Sequence, residues 1–192
     1  MNFDQLNINE KRVAVAKDVL ANIAANKLKP ANIGYLIVNP AEDVDVEISM
    51  GEYLEQSQRC HVCALGGLFY SYLQLDKEVG SQPFNNISNC IYGVTILENL
   101  VSLFDFSELT RIEIAYEGYD VNDDLYNEIF PNKKSNEVDL KLEEAYTAEL
   151  TKLKIYHNHF YDSHQRLTAI MKNIVRNNGS FNPLEYKKDG ED

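Results

Sequence analysis

The chain has 192 residues, of which 44% are hydrophobic and 25% charged, and its formal net charge is −12. These proportions are typical of a globular protein rather than a disordered one. No run of about 18 apolar residues occurs, and no basic stretch followed by an apolar one opens the chain, so we expect neither a membrane span nor a signal peptide. The odd number of cysteines, three, argues against a disulfide framework and predicts a cytoplasmic protein.

The negative charge is concentrated in the middle of the chain. Residues 1–41 and residues 150–192 each carry a net charge of +2, which leaves −16 for residues 42–149. A surface this negative repels nucleic acid, so we expect no direct nucleic-acid binding. It favours instead a protein partner with a basic surface, including a protein groove that normally holds DNA.

The first third of the chain predicts one helix and a small pair of strands. Apolar residues recur at helical spacing over 9–27, and Pro30 ends that helix. A short β-branched run at 33–38 and an alternation of apolar and acidic residues at 43–48 follow. Both patterns are typical of strands, and together they predict an accessory strand pair near 33–48.

The central region predicts a buried helix. From about 51 to 77, apolar residues occur nearly all round the helical wheel, which is typical of a helix inside the core. Gly66 and Gly67 would each cost such a helix about 1 kcal/mol relative to alanine. We therefore expect another backbone to approach the helix closely at these glycines.

The remaining patterns are helical as well. They predict helices near 94–104 and 109–118, a long helix with an apolar stripe over 142–160, and a last helix from Ser163 that ends at 178–179. The predicted fold class is therefore mainly α, a helical bundle of about five to seven helices with the accessory strand pair. We expect a single globular domain over 1–184 and a flexible C-terminal tail over 185–192.

The segment Cys60-His61-Val62-Cys63 allows three interpretations. Two thiolates at this spacing could hold zinc with Cys90 and a histidine, although a second closely spaced ligand pair is missing. A redox pair of the thioredoxin type would follow a strand, whereas residues 52–59 are polar and do not resemble one. The favoured interpretation is that Cys63 is a small buried residue of the central helix, with Cys60 near its first turn.

Two histidines form a further weak metal candidate. His157 and His164 are seven residues apart and could share a helix face, with Asp162 nearby. Such a group would suit a metal ion or a general base, but a polar contact between helices is the favoured explanation. We therefore predict no cofactor.

Two acidic clusters are the candidate partner-binding surface, with solvated faces as the alternative. The clusters consist of Glu42, Asp43, Asp45 and Glu47, and of Glu113, Glu117, Tyr119, Asp120, Asp123, Asp124 and Glu128. A calcium loop that began at Asp120 would need a glycine at its sixth position and a glutamate at its twelfth, and the sequence has neither. Neither a phosphate-binding glycine loop nor a nucleophile elbow occurs, so we predict no catalytic residues.

Four sequence blocks carry a resemblance that covers most of the chain. They are RVAVAKDVLANI at 12–23, CHVCALGGLFYSYL at 60–73, LTRIEIAYEG at 109–118 and IMKNIVRNNGSFNP at 170–183. In combination they resemble a group of small uncharacterised proteins of phages and prophages. The resemblance implies a class of gene and the cytoplasm of a host cell, and it brings no catalytic residues with it.

These observations favour a non-enzymatic accessory protein of the phage type. It would bind and modulate a host protein through its acidic surface, as an anti-defence protein or an inhibitor that mimics DNA. One alternative is a sponge-like protein that binds a small ligand or nucleotide between helices, near Asn85, Asn86 and Asn173. A second alternative is a metal-dependent enzyme that uses Cys60, Cys63 and the late histidines. A homodimer is compatible with each of these hypotheses.

Overall fold

A computed structural model describes residues 2–32, 35–39, 48–57, 59–82, 90–91, 93–118 and 140–186 of the chain. Within these ranges it contains eight α-helices, one of them a single turn, and a four-stranded sheet. The predicted fold class, mainly helical with accessory strands, is confirmed.

The described helices alternate in places with the strands of the sheet. In chain order they are α1 (Ile8–Ala24), α2 (Met50–Gln56), α3 (Ala64–Leu75), α4 (Lys77–Gly80), α5 (Gly93–Leu100), α6 (Phe106–Glu117), α7 (Leu140–His159) and α8 (Ser163–Arg176). A short 3-10 helix at Phe3–Gln5 precedes α1. Side chains just outside the helices fix several starts. Asn7 and Glu10 form a capping box at α1, and Asp105 accepts a bond from the amide of Glu108 at α6.

The sheet consists of the short strands β1 (Leu28–Pro30), β2 (Leu36–Asn39), β3 (Arg59–Val62) and β4 (Cys90–Ile91). Their order is β1-β3-β2-β4, with β3 parallel to β1 and antiparallel to β2, and β4 antiparallel to β2. Strand β2 lies in the segment predicted to form strands. The expected second strand of that pair, at 43–48, falls mainly on residues outside the described ranges, and β2 pairs with β3 and β4.

The prediction of one helix over 51–77 is wrong in its middle. Residues 59–62 form β3, in which exposed and buried side chains alternate, and their backbone groups pair with β1 and β2. The apolar residues of α3 begin directly after this strand, so the two elements read as one apolar stretch in the sequence. The close approach expected at Gly66 is confirmed, because a Cβ atom there would overlap the carbonyl oxygen of Tyr35. At Gly67 the expectation is wrong, because the atoms nearest to an added Cβ belong to side chains and lie 3.5 Å or more away.

Helix α3 lies at the centre of the core. All its residues from Ala64 to Leu73 are buried, and it packs against α1, α5 and α6. Helix α1 also packs against α8, and α6 also packs against α7 and α8. As a result α6 is packed on several sides, by α3, α5, α7 and α8.

Candidate functional site

The last two turns of α6 carry two carboxylates on one face. Glu113 and Glu117 are four residues apart, a spacing that places their side chains next to each other on a helix. The neighbouring Ile112 and Tyr116 are fully buried in the core, and this packing holds the helix in place. Both glutamates are half-buried at the edge of the core. We call Glu113 and Glu117 the carboxylate pair.

Tyr35, which directly precedes β2, contacts the first member of the pair. Its hydroxyl donates a hydrogen bond of 2.6 Å to Oε1 of Glu113. Its carbonyl oxygen accepts a bond of 3.1 Å from the amide of Cys63, where α3 begins, and Gly66 leaves room for this contact. The start of α3 therefore positions the Tyr35 backbone, and the Tyr35 side chain reaches α6.

Two side chains from other helices meet at the carbonyl oxygen of Tyr116, close to the second member of the pair. Nη1 of Arg166 in α8 donates to this oxygen at 2.7 Å, and Nδ1 of His157 in α7 lies 3.1 Å from it. Gly118 caps the C-terminal end of α6, and its φ of 74° is left-handed. The ring of His157 lies directly over this glycine. The end of α6 is thereby tied to both α7 and α8.

Burial and mutual repulsion raise the pKa values of the pair. The pKa of Glu113 is raised by burial, and the hydrogen bond from Tyr35 opposes this shift. The pKa of Glu117 is raised to about 7, first by burial and then by the charge of Glu113, while Arg166 opposes the shift. Glu117 is also the last residue of α6, where the partial negative charge of the helix end disfavours a carboxylate.

Across the described ranges, no ion pair compensates the carboxylate pair. The two ion pairs found there join Arg12 to Glu108, at 3.2 Å, and Arg111 to Glu149. Arg166 is the cation that acts on Glu117 electrostatically, but its guanidinium donates to the carbonyl oxygens of Tyr116 and Phe160.

This arrangement is suited to two kinds of chemistry. Two half-buried carboxylates with a single, already engaged guanidinium would be stabilised by an additional positive charge. The charge can come from a cationic group, such as the side chain of an arginine or a lysine, or from a proton. A guanidinium fits two carboxylates especially well, because it presents several N–H donors in one plane.

Of the predicted partner-binding residues, Glu113 and Glu117 are brought together. They are half-buried, which differs from the fully solvated acidic face that the sequence analysis weighed as the alternative. The remaining predicted residues lie outside the described ranges: Glu42, Asp43, Asp45, Glu47, Tyr119, Asp120, Asp123, Asp124 and Glu128.

The cysteine pair occupies the junction between β3 and α3. Cys60 lies in β3 and Cys63 is the N-cap of α3, so Cys60 is part of a strand and not, as expected, near the first turn of the helix. The residues before the strand, up to Gln56, belong to α2. Burial raises the pKa of both thiols, that of Cys63 to about 12. Both thiols are therefore protonated at neutral pH, which makes them poor nucleophiles. Cys90, the third candidate ligand, lies in β4.

The two late histidines do not share a helix face. His157 is near the end of α7, whereas His164 is in the first turn of α8 and is exposed. His157 makes a polar contact between helices, the explanation that the sequence analysis favoured. Among the residues that the structure describes, no three His, Cys, Asp or Glu side chains are grouped so that they could hold a metal ion.

Asn173, named above for a pocket between helices, has a structural role. Its amide nitrogen donates to the carbonyl oxygens of Asn182 and Glu185, and its Oδ1 accepts from the amide of Asn182. It thereby fastens the segment after α8 to the bundle. Asn85 and Asn86 lie outside the described ranges.

Sequence reasoning missed Tyr35 and Arg166. Tyr35 was part of a predicted strand, and Arg166 is one of several basic residues in the last third of the chain. The spacing of Glu113 and Glu117 was a local signal for the pair itself. No comparable signal connects Tyr35 to Glu113, because they are 78 residues apart.

Comparisons of the chain with protein-family models, with curated proteins and with solved structures found no match. In the described part of the chain, no helix is both long and apolar enough to cross a membrane.

Proposed function

We propose that this protein is a non-enzymatic binding protein of the phage type, and that it engages a basic surface of a host protein. The carboxylate pair would receive an arginine or lysine side chain of that partner. The observation that carries this proposal is the uncompensated charge of the pair, which is half-buried and has no ion pair within the described ranges. A cationic side chain would offset both the repulsion between the two carboxylates and the unfavourable interaction of Glu117 with the partial negative charge of the helix end.

The concentration of negative charge in residues 42–149 supports the same proposal. A strongly negative surface attracts a basic partner over about 8 Å at physiological salt and increases the rate of association. The carboxylate pair would then provide a specific, partly desolvated contact at the point of docking. Removal of one member of such a buried charge pair typically costs 2–5 kcal/mol of binding free energy, which is at least about a 30-fold loss of affinity.

The test compares three forms of the protein as baits in lysate of a bacterial host. The forms are wild type, Glu113→Gln/Glu117→Gln, and the control Glu98→Gln/Glu144→Gln, which removes two exposed carboxylates from α5 and α7. We expect a host protein that wild type and the control both capture and that the pair variant loses. Equal capture by the pair variant would show that the carboxylate pair is not the contact.

A second variant tests the wider acidic surface. Asp120→Asn/Asp123→Asn/Asp124→Asn removes negative charge from the segment that follows α6. At low salt, we expect slower association of the captured protein, with a smaller change in its dissociation rate, if this negative charge acts by steering the partner towards the pair. An unchanged association rate at low salt would contradict a contribution of this segment.

A further inference from the structure

The charges around the carboxylate pair do not balance when both glutamates are ionised. Titratable groups from five parts of the fold act on the pair or adjoin it, and they are Tyr35 before β2, Cys63 at the start of α3, Tyr116 in α6, His157 in α7 and Arg166 in α8. The tyrosines and the cysteine are uncharged at neutral pH, and burial raises their pKa values further. Arg166 is therefore the one constant positive charge among these groups.

His157 does not supply a second positive charge. Its pKa is lowered, first by burial and then by the charge of Arg166, so that the imidazole is neutral at pH 7. The remaining negative charge of the cluster lies at the end of a helix, where it is further disfavoured. In the free protein, a proton is the simplest group that can neutralise it.

The hydrogen bonds of the pair distinguish its two members. Glu113 accepts the bond from Tyr35, which stabilises its ionised form. Glu117 accepts no side-chain hydrogen bond from the residues that the structure describes, and the charge of Glu113 disfavours its ionisation. Glu117 is therefore the better position for the proton.

We propose that the carboxylate pair retains a proton in the free protein, and that a cationic group of the partner displaces this proton when it binds. This proposal rests on the proposed function and adds that pH regulates the binding of the partner. On binding, the O–H bond of the carboxylic acid breaks, the proton passes to the solvent buffer, and the resulting carboxylate pairs with the incoming cation. Binding is then coupled to the release of a proton.

The coupling has a measurable consequence for affinity. Since Glu117 titrates at about 7, raising the pH from 6 to 8 should strengthen binding about tenfold, provided that the cation itself does not titrate. Above that range the affinity should become independent of pH. An arginine ligand meets the condition, because its pKa is above 12.

The first experiment needs no ligand. The side-chain carboxyl carbons of Glu113 and Glu117 are followed by NMR in the full chain as the pH is raised. We expect one of them to titrate near neutrality, and Glu113→Gln to lower the pKa of Glu117, because the like charge is removed. Tyr35→Phe should raise the pKa of Glu113. If both carboxyl groups titrate in the ordinary acidic range, the retained proton does not exist and the inference is wrong.

The second experiment uses an acetylated and amidated octa-arginine peptide as the probe. Calorimetry at pH 7 in phosphate and in Tris buffer counts the protons that binding releases. Wild type and Glu98→Gln/Glu144→Gln should release about half a proton at pH 7, because Glu117 is about half protonated at its pKa of about 7, and Glu113→Gln/Glu117→Gln should release none. Binding that depends on the pair but releases no proton would overturn the coupling and leave the proposed function intact. Equal binding of the peptide by the pair variant would instead contradict the proposed function.

Discussion

The two ends of α6 differ in how far the charges of their buried carboxylates are compensated. At the N-terminal end, Glu108 is almost fully buried, and both of its oxygens have partners. Oε2 pairs with Arg12 at 3.2 Å and Oε1 accepts a bond of 2.9 Å from the amide of Phe181. At the C-terminal end, the carboxylate pair of Glu113 and Glu117 is less buried and has no ion pair within the described ranges.

The opposite partial charges at the two ends of α6 increase this difference between Glu108 and the carboxylate pair. A carboxylate is stabilised near the N-terminus of a helix and destabilised near its C-terminus, by about 0.3–1 kcal/mol at exposed positions. Glu108 lies in the first turn of α6, next to the capping residue Asp105, whereas Glu117 is its last residue. Burial alone therefore does not indicate a functional group. A buried charge without compensation is the more informative observation.

The largest expected effect is at the N-terminal end. Glu108→Ala leaves Arg12 without its buried partner and the amide of Phe181 without an acceptor, so we expect a loss of about 3 kcal/mol in the free energy of unfolding. Urea denaturation measures this loss. The control is Glu149→Ala, which breaks the half-exposed pair with Arg111 and should cost less than about 1 kcal/mol. Similar losses in both variants would mean that the contacts of Glu108 stabilise the fold no more than a half-exposed ion pair does.

A smaller effect is expected where α6 ends. Gly118→Ala places a Cβ at a left-handed φ of 74°, within 2.5 Å of the His157 ring. The strained backbone and the displaced imidazole should together cost about 2 kcal/mol of stability, again measured by urea denaturation.

Gly67→Ala is the matched control for that substitution. Gly67 lies inside α3 with an ordinary helical backbone, and an added Cβ there would have van der Waals contacts of 3.5 Å or more. Because alanine favours a helix over glycine by about 1 kcal/mol, we expect this variant to be as stable as wild type or more stable. A destabilisation equal to that of Gly118→Ala would contradict the special role assigned to the end of α6.

Much of the fold could be predicted from the sequence, because it depends on local patterns. Helical spacing of apolar residues predicted α1, α6, α7 and α8 within a few residues of their observed bounds. The break at Arg59–Val62 could not be predicted in the same way. Its four residues form a strand because β1 and β2 pair with it, and that pairing joins distant parts of the chain.

The candidate site was predictable only in part. Glu113 and Glu117 stood out as acidic residues at helical spacing, but the sequence did not indicate that they would be half-buried. That property depends on the packing of α6 against α3, α7 and α8. The contributions of Tyr35 and Arg166 depend on the same packing, since each of them reaches α6 from a distant part of the chain.

The smallest expected effect is a gain in the free energy of unfolding, and it concerns Glu117 at the C-terminal end of α6. The pKa of Glu117 is about 7 in the folded protein and near 4.5 in an unfolded chain, so the folded state binds the proton more tightly. Its stabilising contribution is therefore present below pH 4.5 and is lost as the pH rises through 7. Glu117→Gln removes this dependence without a change of shape.

We therefore expect Glu117→Gln to match wild type in stability at pH 4 and to exceed it at pH 8. After allowance for the partial exposure of Glu117, the gain should be about 1 kcal/mol. Urea denaturation at several pH values gives the difference between the two proteins, in which the titration of groups away from Glu117 largely cancels. The control is Glu144→Gln, which replaces an exposed carboxylate of α7, and its stability should differ from that of wild type by less than about 0.5 kcal/mol. If Glu117→Gln behaves like this control, Glu117 is as well compensated as Glu108, and the contrast between the two ends of α6 disappears.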